Sequence, residues 1–236
     1  MPAWKNWHMV TCTEPVVITT DIPLPFEMPA AMWAELEAAY QTPPRAYHNI
    51  RHVHEVAAHY ENVAALVGWQ YPKETFLAVL YHDAIYQAGR KDNEVRSAEM
   101  ALAAVATYLG SEPIDLDKLR QLIELTAGHG HLKAENLDQD SKLFLDCDMA
   151  ILGSDPEQFL AYDKAIAIEY RGKLPGWMFQ FLRRKFLKNL LDSPRIYLSE
   201  MFFESHEAKA RANIAALLKK PRSVLMEIGR ASCRER

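Results

Sequence analysis

Cysteine is scarce: Cys12, Cys147 and Cys233 are scattered along 236 residues. That is too few for a disulfide framework or a thiolate metal site, and it favours a reducing compartment. There is no apolar run of about 18 residues, the length that would suggest a membrane span. The first residues carry one lysine, Lys5, and no apolar core of signal-peptide length. The expected location is therefore the cytoplasm, with no membrane partner. No basic stripe is present either. The clusters Arg183, Arg184, Lys185, Lys188 and Lys219, Lys220, Arg222 are short, and the formal net charge is −4. They read as solvated helix faces, so no nucleic-acid polymer is expected as a partner. Strand signals are poor, since only "PVVITT" alternates, and no internal repeat is visible.

What the chain does have is helical periodicity and enough apolar residues, 49%, for one domain with a proper core. Residues 1–30 are proline-rich and read as an extended N-terminal arm. From Met32 the pattern is helical almost throughout. "AMWAELEAAYQ" is stopped by Pro43 and Pro44, and a second helix is expected from about His48 to Val67. "PKETFLAVLYHDAIYQAG" starts at Pro72, is apolar nearly all round, and predicts a central buried helix stopping at Gly89. Further helices are expected in "DNEVRSAEMALAAVATYLG", with Asp92 as N-cap, and in "DLDKLRQLIELTAGHGH" and "DQDSKLFLDCDMAILG". The series continues through "DPEQFLAYDKAIAIEYRG" and "PGWMFQFLRRKFLKNLL" to a final helix around "SHEAKARANIAALLKK". The reading is all-α, with about eight to ten helices. The helical domain spans 31–220, and the polar tail 221–236 reads as disordered or foreign to it. The stripe in "MFQFLRRKFL" leaves room for a homo-oligomer, although such stripes more often face a core.

Three local anomalies carry the chemistry. Residues 46–61, "AYHNIRHVHEVAAHYE", hold His48, His52, His54 and His59, and four-residue spacing puts His48 and His52 on one helix face. His82–Asp83 stand inside an apolar segment with no Lys or Arg within one turn. Burying such a carboxylate is costly unless something offsets its charge, and a divalent cation would do so while using the imidazole. Asp146 and Asp148 repeat the anomaly in "KLFLDCDMAILG". At i and i+2 they face different directions, so at most one reaches the site of His82–Asp83, and the other caps or pairs elsewhere.

Together these segments resemble the H…HD…D signature of the HD superfamily of metal-dependent phosphohydrolases. Here it reads His52, His82–Asp83 and Asp148, with Asp148 66 residues after His82. "YHNIRHVHEV" is similar to the first motif of the cyclic-nucleotide phosphodiesterases in that superfamily, with Glu55 where they have aspartate. "CDMA" is similar to their last motif, which favours Asp148 over Asp146. The set "YHNIRH", "YHDAIY", "DNEVRSAE", "TAGHGH" and "DCDMAILG", over residues 33–218, resembles a bacterial group of predicted HD phosphohydrolases of unknown substrate. The resemblance implies an HD-type helical domain, with His52, His82, Asp83 and Asp148 as metal ligands. It implies His48 and Asp83 as catalytic residues, His48 protonating the leaving group.

A mixed imidazole and carboxylate set suits Mn²⁺, Fe²⁺, Co²⁺ or Ni²⁺ and leaves Zn²⁺ and Mg²⁺ open. Water on such an ion becomes a hydroxide nucleophile near neutral pH. The function read from the sequence is attack of that hydroxide on a phosphoester or phosphoanhydride of a nucleotide or small phosphorylated metabolite. Arg45, Arg51, Arg90 and Lys91 are candidate phosphate contacts beside the motifs. Asn93, Glu94 and His129 are further candidates for substrate, and His129 with His131 for a second ion. Two other readings stay open. One is a non-catalytic metal- or nucleotide-binding regulatory module. The other is an HD-type diiron oxygenase, for which the close pair His129 and His131 leaves a second site short of ligands.

Overall fold

The segment Pro72–Tyr81 has no polar face to offer solvent, and every residue from Glu74 to Tyr81 is buried. Four of the other helices pack most closely against it. The computed structural model describes residues 25–41 and 45–220. Among them are nine α-helices: α1 (Ala30–Tyr40), α2 (Ile50–Leu66), α3 (Pro72–Tyr81), α4 (Asn93–Tyr108), α5 (Leu116–Leu125), α6 (Gln139–Met149), α7 (Pro156–Glu169), α8 (Gly176–Asp192) and α9 (Glu200–Lys219). No strand occurs among the described residues. The all-α class expected from periodicity is therefore present. Residues 1–24, with "PVVITT", and the tail 221–236 lie outside the described residues.

Local chemistry sets the helix starts. Asn49, Asp115, Asp138 and Ser199 each accept a backbone N–H of the first turn. Proline opens α3 and α7, where its missing N–H is harmless. Asp92 also precedes a helix, but its carboxylate pairs with Arg90 at 2.6 Å instead of capping α4. One hydrophobic cluster runs from Phe26, edge-on to Phe76, through α3 and α5 to Leu217 of α9. Helix α3 packs against α2, α4, α5 and α6, and α8 against α9. Helix α9 also lies on the turn after α6. There a Cβ on Gly153 would fall 2.8 Å from the His206 Cβ, so only glycine allows the approach. No helix among the described residues is long and apolar enough to cross a membrane.

Three boundaries depart from the periodicity. Helix α2 begins at Ile50, so His48 precedes the helix and its four-residue spacing to His52 is not a helical one. Helix α9 begins at Glu200, ahead of the expected start near Ser205, and its extra turn buries Phe202. Helix α3 ends at Tyr81, well before Gly89. The carbonyls of Asp83 and Ala84, which a longer helix would use, accept instead from the Arg45 guanidinium, each at 2.8 Å. Ser97 Oγ accepts the Ile85 N–H and donates to the Ile85 carbonyl, and the Asn93 amide bonds both backbone groups of Gln87. The His–Asp pair thus sits where a helix hands over to a clamped loop. In "MFQFLRRKFL", Phe179 is buried while Phe181 and Leu182 are exposed.

Candidate metal centre and its surroundings

Three elements deliver four side chains to one point. His52 comes from the first turn of α2, His82 and Asp83 from the end of α3, and Asp148 from the last turn of α6. The Nε2 atoms of His52 and His82 are 3.1 Å apart. Asp83 Oδ2 lies 3.2 Å from His82 Nε2 and 3.7 Å from His52 Nε2. Asp148 Oδ1 lies 3.0 Å from His52 Nε2 and 3.6 Å from His82 Nε2. One ligand atom each from His52, His82 and Asp83 lies within 4.8 Å of the others, a possible metal-binding triad.

The donor chemistry fits a divalent cation. His82 Nδ1 donates to the Val79 carbonyl at 3.0 Å, which leaves Nε2 as the nitrogen facing the cluster. Two imidazole nitrogens and carboxylate oxygens make a borderline-hard set of the kind Mn²⁺, Fe²⁺, Co²⁺, Ni²⁺ and Zn²⁺ accept. The cluster also calls for positive charge. Burial disfavours both carboxylates in their charged form. Even so, His82 and His48 hold Asp83 below its ordinary range, and His82, His129 and His52 hold Asp148 well below. Burial likewise disfavours a charged His82, yet Asp83 and Asp148 raise its imidazole well above the usual value. A cation or a set of protons must supply that charge.

The two acids of "DCD" separate completely. Asp146 points away and accepts the backbone N–H groups of Leu198 and Ser199 at 2.8 and 2.7 Å and the Ser199 hydroxyl at 2.6 Å. It ties α6 to the start of α9. Asp148 faces the histidines, and its second oxygen is 2.7 Å from His129 Nε2. His129 therefore touches the cluster through Asp148, while His131 is exposed.

His48 stands beside the cluster without belonging to it. Its Nδ1 is 2.7 Å from Glu169 Oε2, and its ring stacks on Tyr86 with centroids 4.1 Å apart. Glu169 Oε1 also accepts the backbone N–H groups of Tyr47 and His48, at 2.8 and 2.9 Å. Burial pushes the His48 imidazole down, but Asp83, Glu169 and Asp148 together hold it above its ordinary value. Tyr47 packs against His52, His48 and Tyr162, with centroids 4.7, 5.0 and 4.6 Å away.

Sequence patterning did not point to Glu169, Tyr47 or Tyr86. Glu169 carried a usable signal, an acid closing the apolar run "AIAIE", the same anomaly as Asp83. Arg45 is placed close by, but it bonds the carbonyls of His48, Asp83 and Ala84 and so clamps the two motifs together. The remaining candidates lie further out. Arg51 and Lys91 are exposed, Arg90 pairs with Asp92, and Asn93 holds the loop through Gln87. Glu94 is half-buried in the first turn of α4. His54 and His59 leave the site on other faces of α2, His59 packing against Phe202 and His206. Compared with protein-family models, curated proteins and solved structures, the chain finds no match.

Proposed function

We propose that the chain is a metal-dependent phosphohydrolase of the HD type, acting on a phosphoester or phosphoanhydride of a nucleotide or small phosphorylated metabolite. One observation carries this reading: His52, His82, Asp83 and Asp148 converge on one point beside a further imidazole, His48, that is held by its own carboxylate. The four converging residues would hold a divalent cation, which supplies a Lewis acid for a phosphoryl oxygen and makes water more acidic.

The protein's own groups account for the rest. Glu169 occupies His48 Nδ1, so Nε2 is the ring nitrogen left to give a proton to substrate. The same carboxylate favours the protonated ring, the form an acid needs. Stacking on Tyr86 fixes the ring plane. As the bond between phosphorus and the leaving oxygen breaks, that oxygen takes the proton from His48 Nε2. His129 orients the Asp148 carboxylate from the side away from His52.

The test begins with metal content. The purified protein should hold about one divalent ion per chain, and Asp83→Ala should lose it. Equal metal in that variant removes the site assignment. With Mn²⁺ or Co²⁺, a panel of nucleotides and phosphoesters should show phosphate release. His48→Ala should keep its metal and lose roughly 10²- to 10⁴-fold in turnover. A metal-loaded protein that releases phosphate from none of the panel would point to a binding module instead.

A further inference from the structure

The described residues contain six buried side-chain polar atoms with no hydrogen-bond partner, and two of them, Tyr47 Oη and His52 Nδ1, belong to neighbouring rings at the candidate metal centre. Three buried tyrosines of this chain show the usual outcome, a hydroxyl with a partner. Tyr40 Oη donates to the Leu80 carbonyl at 2.9 Å, Tyr60 Oη to Pro72 at 3.0 Å and Tyr197 Oη to Met149 at 3.1 Å. An orphaned buried hydroxyl is destabilising, so its presence asks for a reason outside the packing.

Packing explains the Tyr47 ring but not its oxygen. The ring is wedged among His48, His52 and Tyr162, and its backbone N–H is fixed on Glu169. A phenylalanine would make the same ring contacts. The ring lies 4.7 Å from the ring of His52, whose Nε2 faces both carboxylates of the cluster, yet the phenol oxygen bonds no protein group. A neutral donor in that position suits an anionic oxygen that arrives with a ligand. In a pocket of low dielectric such a bond is stronger than in water.

We infer that the Tyr47 hydroxyl donates a hydrogen bond to a non-bridging phosphoryl oxygen of the ligand bound at the His52–His82–Asp83–Asp148 cluster. This rests on the phosphohydrolase reading and adds to it a residue that selects an oxyanion. The stability spent on an orphaned donor in the free protein is regained when phosphate is bound. Removing the oxygen should therefore move stability and binding in opposite directions.

The experiment uses the Mn²⁺-loaded full-length protein, with inorganic phosphate as the probe. Thermal unfolding is measured without phosphate, and phosphate affinity by calorimetry, for the parent, Tyr47→Phe and Tyr197→Phe. Tyr47→Phe should unfold at the parent's temperature or above it, hold the same metal, and bind phosphate about tenfold or more weakly. Tyr197→Phe, which loses a satisfied hydroxyl, should unfold at a lower temperature and bind phosphate within about twofold of the parent. If the parent binds phosphate and Tyr47→Phe binds it equally well, the inference alone is overturned. It is also overturned if Tyr47→Phe is destabilised like Tyr197→Phe or fails to fold, because the hydroxyl then has a structural partner. A metal-loaded parent that binds no phosphate overturns the phosphohydrolase reading and this inference with it.

Discussion

His48 and Glu169 are joined twice: Glu169 Oε2 faces His48 Nδ1 at 2.7 Å, and Glu169 Oε1 accepts the backbone N–H of His48 and also that of its neighbour Tyr47. The carboxylate is fully buried, while the imidazole keeps 20% of its surface exposed. A buried acid that holds both the ring and the backbone of an accessible histidine is positioned to set that ring's tautomer, orientation and charge.

Glu169→Gln should therefore leave the metal in place and slow turnover by roughly 10- to 100-fold. Loss of the carboxylate also lowers the imidazole's affinity for its proton. The alkaline limb of the pH–turnover profile should then move to lower pH, because the proposed reading has a protonated His48 as the acid. A slowed variant with an unmoved alkaline limb would show that Glu169 serves the fold alone.

Asp146 and Asp148 are two residues apart and should respond in opposite ways. Asp148→Asn removes a charge from the histidine cluster, and the metal recovered per chain should fall sharply. Asp146→Asn should keep the metal but lower unfolding free energy by about 2 kcal/mol, because the carboxylate that accepts from Leu198 and Ser199 is replaced by a poorer acceptor. Metal analysis and denaturant unfolding of both variants check this. Metal loss in Asp146→Asn with Asp148→Asn unaffected would reverse the assignment.

His59 should make the fold acid-sensitive. Burial first, and the charge of His206 second, push its imidazole down to about 4 from an ordinary 6.5. In that interval the unfolded chain binds the proton and the folded chain does not. The stability this contributes is complete above about pH 6.5 and is lost as pH falls towards 4, amounting to about 2 kcal/mol. Denaturant unfolding at about pH 7 and about pH 4.5 should show the loss, and His59→Leu should reduce it. The same acid sensitivity in the variant would assign the effect to other groups.

Much of this protein is legible in its sequence. The 3.6-residue periodicity, the glycine and proline stops and the near absence of alternating segments determined an all-α chain, because these signals act over a few residues. Acids in apolar surroundings at Asp83, Asp146 and Asp148 marked where charge had to be answered, since desolvation is costly wherever the fold places it. Tertiary structure decided what answers each charge. Asp146 is met by the backbone of Leu198 and Ser199, more than 50 residues on, and Glu169 reaches the backbone N–H of Tyr47 across a separation of 122. Helix α3 ends at Tyr81 for the same kind of reason. The apolar pattern runs on past Asp83, but the carbonyls that would extend the helix are taken by Arg45, which lies 38 and 39 residues earlier in the chain. Local sequence determined which residues need partners, while long-range packing decided which partners they found, because hydrogen bonds between distant segments leave no periodic trace in either one.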